Sequence, residues 1–147
     1  MLSPFNDEYF MKQAFLEAQK AFDADEVPVG AVIVCKNQII ARGHNLTEQL
    51  TDVTAHAEIQ AITAAAQYLG AKYLKECTLF VTLEPCCMCA GALYWSQIDR
   101  VVFGARDAKR GASASGVSLY HPATIVENGI MENECSQLLK DFFSKKR

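Results

Sequence analysis

Two short stretches limit what this chain can become more than any other feature. They are Pro85-Cys86-Cys87-Met88-Cys89 and, about thirty positions earlier, Thr54-Ala55-His56-Ala57-Glu58. A Pro-Cys-x-x-Cys pair with an upstream His-x-Glu reads as one metal site. Cys86 and Cys89 supply two thiolates and His56 one imidazole, a donor set suited to one Zn2+ per subunit. Three protein ligands leave the fourth tetrahedral position for water, as a catalytic zinc requires and a structural zinc does not. Glu58 then stands as the base beside that water. Whatever fold the chain adopts must bring these two stretches together.

Both stretches fall where a helix should begin, after a loop or a strand. Unpaired N–H groups and the helix dipole favour anions there, and would lower the pKa of the two thiols. The i, i+3 spacing puts the sulfurs of Cys86 and Cys89 on one side of a first turn. Cys87 fits no such pairing and reads as a packing thiol. His56 and Glu58 would diverge within a helix interior, but at a first turn both side chains lean past the helix end. That requires the helix to begin near Thr54. The chemistry implied is hydrolytic deamination of an amino-bearing heterocycle, with Glu58 moving the protons.

The remaining pattern alternates helices and strands and predicts an α/β layer fold over residues 1–147 as a single domain. Apolar residues at Phe10, Ala14, Phe15, Ala18, Ala21 and Phe22 have helical spacing, with Asn6 as N-cap. Val27–Cys35 and Ile39–Gly43 read as a hairpin through Lys36-Asn37. Asn45–Asp52 reads as a loop, and Thr54–Leu69 as a helix with Ile59, Ile62, Ala66 and Leu69 on one face. A strand over Thr78–Leu83, a helix from Cys87 or Met88 to Trp95 and a strand over Arg100–Gly104 follow. Ala105–Pro122 reads as a loop, a short strand is expected around Ile125, and Glu134–Lys146 as an amphipathic helix. Cys135, Leu138, Leu139, Phe142 and Phe143 should face inward from that last helix.

Six cysteines and a net charge of −3 bound the class further. Cys35, Cys77 and Cys135 stand alone in apolar surroundings and read as buried free thiols. No apolar run is long enough for a membrane span. The N-terminal stretch has neither a basic nor an apolar leader region, so a cytoplasmic protein is expected. The balance of 14 basic against 17 acidic side chains does not suggest a general nucleic-acid binder. Local clusters still could hold phosphates: Arg106, Lys109 and Arg110 in one loop, and Lys145-Lys146-Arg147 at the C-terminus.

The chain resembles the bacterial tRNA-specific adenosine deaminases. The resemblance runs from Glu26-Val27-Pro28-Val29-Gly30-Ala31-Val32 through the two metal stretches. It ends in Arg100-Val101-Val102-Phe103-Gly104-Ala105-Arg106-Asp107-Ala108-Lys109, its most specific part. It implies a cytidine-deaminase-like three-layer α/β/α sandwich around a mixed sheet of about five strands, and a homodimer. It implies that the wobble adenosine of a tRNA anticodon stem-loop, in an arginine tRNA, becomes inosine. By position in the family pattern, Asn45 would contact the target base, and Val29, Ala57 and Glu58 would line its pocket. Asp107 and its neighbours would hold flipped-out nucleotides, while Arg106, Lys109 and Arg110 would meet phosphates. Val53 stands where the family has proline, and Ala114 where it has glycine. Two other readings compete. A free-base or nucleoside deaminase, for guanine, cytosine or cytidine, draws support from Tyr94-Trp95 and the acidic charge. A structural zinc module would need Cys87 as fourth ligand.

Overall fold

The computed structural model describes residues 5–146; residues 1–4 and Arg147 of the terminal basic run lie outside the described residues. Helix α1 spans Asp7–Asp23. Asn6 caps it by accepting the Tyr9 N–H at 2.9 Å, and Asp7 and Glu8 sit at its positive end. Strands β1 (Gly30–Cys35) and β2 (Gln38–His44) form the expected hairpin. Lys36 and Asn37 both take positive φ, 51° and 65°, which is the backbone a tight two-residue hairpin turn demands. Helix α2 (Ala57–Leu69), β3 (Cys77–Leu83), α3 (Cys87–Ser96) and β4 (Arg100–Ala105) follow. A short 3-10 turn at Ala112–Ser115, β5 (Ile125–Asn128) and α4 (Glu132–Lys145) complete the chain.

The five strands form one sheet in the order β2-β1-β3-β4-β5. β1 is antiparallel to β2 and β3, whereas β3, β4 and β5 run parallel. Alternating residues divide between the two faces. Ile33, Leu79, Val81, Val101 and Phe103 pack with α2 and Leu93 of α3. Val32, Val34, Phe80 and Val102 pack under Phe10, Met11 and Ala14 of α1. Burial on both faces explains why these strands are apolar nearly throughout. No helix among the described residues is long and apolar enough to cross a membrane.

Three expectations change. In α2 the fully buried stripe is Ala57, Ala61 and Ala65, while Ile59, Ile62 and Ala66 are half-buried and Leu69 is exposed. Small residues win that face because the helix backbone lies almost on β2: a Cβ at Gly43 would stand 2.6 Å from the Ala57 carbonyl oxygen. The helix also begins at Ala57, not near Thr54. Asp52 accepts the Thr54 N–H at 2.8 Å and its hydroxyl at 2.7 Å, so residues 52–56 form a turn first. In α4, Cys135 and Phe142 are buried and Leu138 and Leu139 half-buried, but Phe143 is 46% exposed. Adjacent helix residues lie about 100° apart, so Phe142 and Phe143 cannot share one inward face. Of the three solitary cysteines, Cys77 and Cys135 are buried and Cys35 is half-buried.

Gly30 marks a similar close approach on the other face, where a Cβ would collide with the α1 backbone at Ala14 and Ala18. Overpacking typically costs about 1–3 kcal/mol, and backbone cannot rotate aside as a side chain can. Gly30→Ala should therefore lose about 3 kcal/mol or more, read as a lower urea midpoint at unchanged slope. A midpoint equal to wild type would mean that α1 and β1 are less tightly apposed.

Candidate active site

The site lies at the carboxyl ends of the parallel strands β3 and β4, where open α/β sheets place their crevices. Chain segments leaving β3 and β4 meet the N-terminus of α2 and the start of β1 there. His56 is the N-cap of α2 and Cys86 the N-cap of α3, each with extended backbone (φ −71°, ψ 157° and φ −74°, ψ 176°). Neither helix start has a side-chain cap hydrogen bond. Two helix N-termini thus converge with residues that carry metal-donor atoms at their capping positions. The later start of α2 helps: as the last extended residue, His56 projects away from the helix while Glu58 sits in its first turn.

His56 Nδ1 lies 3.7 Å from Cys86 Sγ and 3.5 Å from Cys89 Sγ. A tetrahedral Zn2+ with Zn–S of about 2.3 Å and Zn–N of about 2.0–2.1 Å places such donors about 3.6 Å apart. The residues therefore fit the ion in type and in spacing. Among the described residues these three form the one His/Cys/Asp/Glu group with atoms close enough for a shared metal. Cys87 is exposed as the first residue of α3, so it is neither the expected packing thiol nor a fourth ligand. That removes the structural-module reading.

Proton affinities follow from this packing. Hydrogen bonds from Cys89 and His56 pull the Cys86 thiol down to about 3, against burial that would raise it. Cys89, fully buried, is pushed above its ordinary value by its hydrogen bond to Cys86 and by burial. His56 is raised by its bond to Cys86, with the Glu58 carboxylate adding to the effect. A coordinating cation overrides such sharing, since a metal-bound thiol is deprotonated outright. Glu58 is 3% exposed, and burial pushes its carboxyl up to about 7 although His56 beside it favours the ionised form.

These groups open into a cavity of about 770 Å³. His56, Glu58 and Cys86 line it, with Cys89 buried behind them. Val29, Asn45 and Ala57 form one wall, and Arg106, Asp107, Lys109 and Arg110 the other. Asn45 is held from several sides: its N–H donates to the Val29 carbonyl at 3.1 Å, and Nδ2 to the Val27 carbonyl at 3.3 Å. Its Oδ1 accepts the Thr47 N–H, also at 3.3 Å. Asp107 Oδ1 accepts the N–H groups of Lys109 (3.2 Å) and Arg110 (3.0 Å), so it shapes the basic loop from within. Arg106, Lys109 and Arg110 are exposed.

The cavity also takes in Thr47, Glu84, Leu139 and Phe143, which sequence reasoning does not assign to the site. Phe143 has a legible signal, the adjacent aromatic pair that one helix face cannot bury. Glu84 has only its place in Leu83-Glu84-Pro85-Cys86. Tyr94 and Trp95, 38% and 75% exposed, lie on α3 away from the cavity, which removes their support for a small-base enzyme.

Residues 4–105 match the family described as the cytidine and deoxycytidylate deaminase zinc-binding region. The chain is 46% identical over 144 residues to a tRNA-specific adenosine deaminase of Agrobacterium fabrum, covering 95% of each chain. A solved structure from work on A-to-I editing by tRNA:A34 deaminases at the wobble position is 43% identical, with a TM-score of 0.83. That likeness covers 88% of this chain and 98% of the other. A guanine deaminase from Bacillus subtilis is 41% identical with a TM-score of 0.67, over 76% of this chain and 70% of its own.

Proposed function

The chain belongs to the zinc-binding cytidine and deoxycytidylate deaminases, and from that premise we propose that it converts the wobble adenosine of a tRNA anticodon, in an arginine tRNA, to inosine. One water is consumed and one ammonia released: the bond from C6 to the exocyclic nitrogen is replaced by one from C6 to oxygen. The observation that carries this reading is the continuity of the cavity. Its floor is His56, Cys86 and Glu58, with Cys89 behind them, and one wall is the exposed cationic run Arg106, Lys109 and Arg110. A free base has no phosphates for that wall to meet, whereas a splayed anticodon loop does.

His56, Cys86 and Cys89 would hold the zinc. Zn2+, when bound, supplies Lewis acidity and brings water to its hydroxide form near neutral pH. The chain's own residues do the rest. Glu58 Oε accepts the proton of the attacking water, delivers it to purine N1, and carries the next to the departing amino nitrogen. Asn45, fixed by Val27 and Thr47, presents a polar edge to the base, and Val29 and Ala57 pack its faces. An anticodon loop suits this pocket because a base there is already partly unstacked and costs little to extrude. The exposed Tyr94 and Trp95 on α3 are the kind of surface a second copy would cover, in line with a homodimer, and a cytoplasmic site of action accompanies a tRNA substrate.

Incubating the zinc-loaded protein with an arginine-tRNA anticodon stem-loop, and separately with guanine, cytosine and cytidine, tests the reading. Inosine should appear at position 34 of the hairpin and be abolished by chelator. Turnover of free bases alone would replace the tRNA reading with the small-molecule one.

A further inference from the structure

We propose that Glu84 is a positioning residue that fixes the cationic wall in register with the pocket, an inference that rests on the RNA reading above. Glu84 directly follows β3, two residues before Cys86, and is 4% exposed. Its Oε1 accepts the Asp107 N–H and its Oε2 the Ser113 N–H, each at 3.0 Å. One carboxylate thus ties the loop at Asp107 and at Ser113, on either side of Lys109 and Arg110 and directly after Arg106. The same loop is bonded to the metal helix directly. Ala112 N–H donates to the Pro85 carbonyl at 2.8 Å, and Cys86 and Gly111 form an antiparallel bridge.

A buried carboxylate is costly unless its oxygens are satisfied, and here both are taken by backbone donors. Gly111 belongs to the same arrangement. A methyl there would run into the Glu84 carboxylate and the Asp107 carbonyl. Holding three cations on a loop already ordered lowers the entropy cost of meeting phosphates. The opposite wall provides a comparison. Glu26, 1% exposed, accepts the N–H groups of Glu48 (3.0 Å) and Gln49 (2.7 Å), but that loop carries no Lys or Arg.

The test uses the zinc-loaded full chain and a fluorescent anticodon stem-loop, with affinity measured across a range of KCl. Glu84→Gln and Gly111→Ala should each weaken binding about fivefold or more. The slope of log K against log salt should become shallower by about 0.7 for each phosphate no longer neutralised, up to about 2 for three cations. Metal content should stay at one ion per chain, and hydrogen exchange at the amides of Asp107 and Ser113 should accelerate. Glu26→Gln should leave the salt slope alone. Faster exchange with an unchanged slope in both variants would overturn the proposal, and so would loss of metal in step with RNA affinity. Failure of the wild type to bind the stem-loop at any salt would instead remove the tRNA reading, and this use of Glu84 with it.

Discussion

Glu58→Ala is expected to bind zinc as the wild type does and to deaminate about 10²–10⁴-fold more slowly, the usual worth of a positioned general acid–base. Glu58 lies in the first turn of α2, buried and lining the cavity, two residues from His56, and is not itself in the His56, Cys86, Cys89 group that could hold a metal. Metal analysis after dialysis, beside single-turnover inosine formation, separates the two roles. Unchanged turnover, or loss of metal, would refute the assignment. The carboxyl also carries a stability signature. Burial raises it to about 7 from an ordinary 4.5, so the folded chain holds a proton between those pH values that the unfolded chain has released. The cost of burying its charge is therefore absent below about 4.5, grows between the two values and is complete above about 7. Glu58→Gln removes that charge, so the zinc-free variant should melt above zinc-free wild type at pH 8 and level with it near pH 4.

Removing one ligand should have the larger effect on metal. Loss of a group that merely supports a ligand is worth about 10–100-fold in affinity, and a direct ligand exceeds that. Cys86→Ala, Cys89→Ala and His56→Ala should each emerge from dialysis essentially without zinc, and show no deamination above background. Cys87→Ala is the internal contrast: its sulfur is exposed and outside the group, so metal and activity should stay at wild-type levels. Cobalt substitution gives a readout independent of turnover, because thiolate-to-cobalt charge transfer reports how many sulfurs bind. Metal loss in Cys87→Ala with retention in Cys86→Ala would overturn the ligand set.

Several features are legible because they are local. The inner strands β1, β3 and β4 are mostly apolar runs, the hairpin turn is Lys36-Asn37, and Asn6 caps α1 as its side chain suggests. His56, Cys86 and Cys89 can be paired across about thirty positions because a tetrahedral ion tolerates few donor types and few spacings. Less local features escape such reading. Periodicity points to large residues for the α2 stripe, but helix-to-sheet distance at Gly43 selects Ala57, Ala61 and Ala65. The start of α2 depends on Asp52 turning the chain first.

The sequence by itself determined which donor side chains stand together, His56 with Cys86 and Cys89, and the order of helices and strands that carries them. These depend on side-chain identity at short spacing, which a sequence states outright. The tertiary structure alone decided how the pocket is walled. Glu84 reaches Asp107 and Ser113 across more than twenty positions, and Phe143 of the last helix lines the same cavity as Val29 on the approach to the first strand. Those contacts are made by backbone N–H groups and by helix placement, and a backbone donor looks the same at every residue but proline.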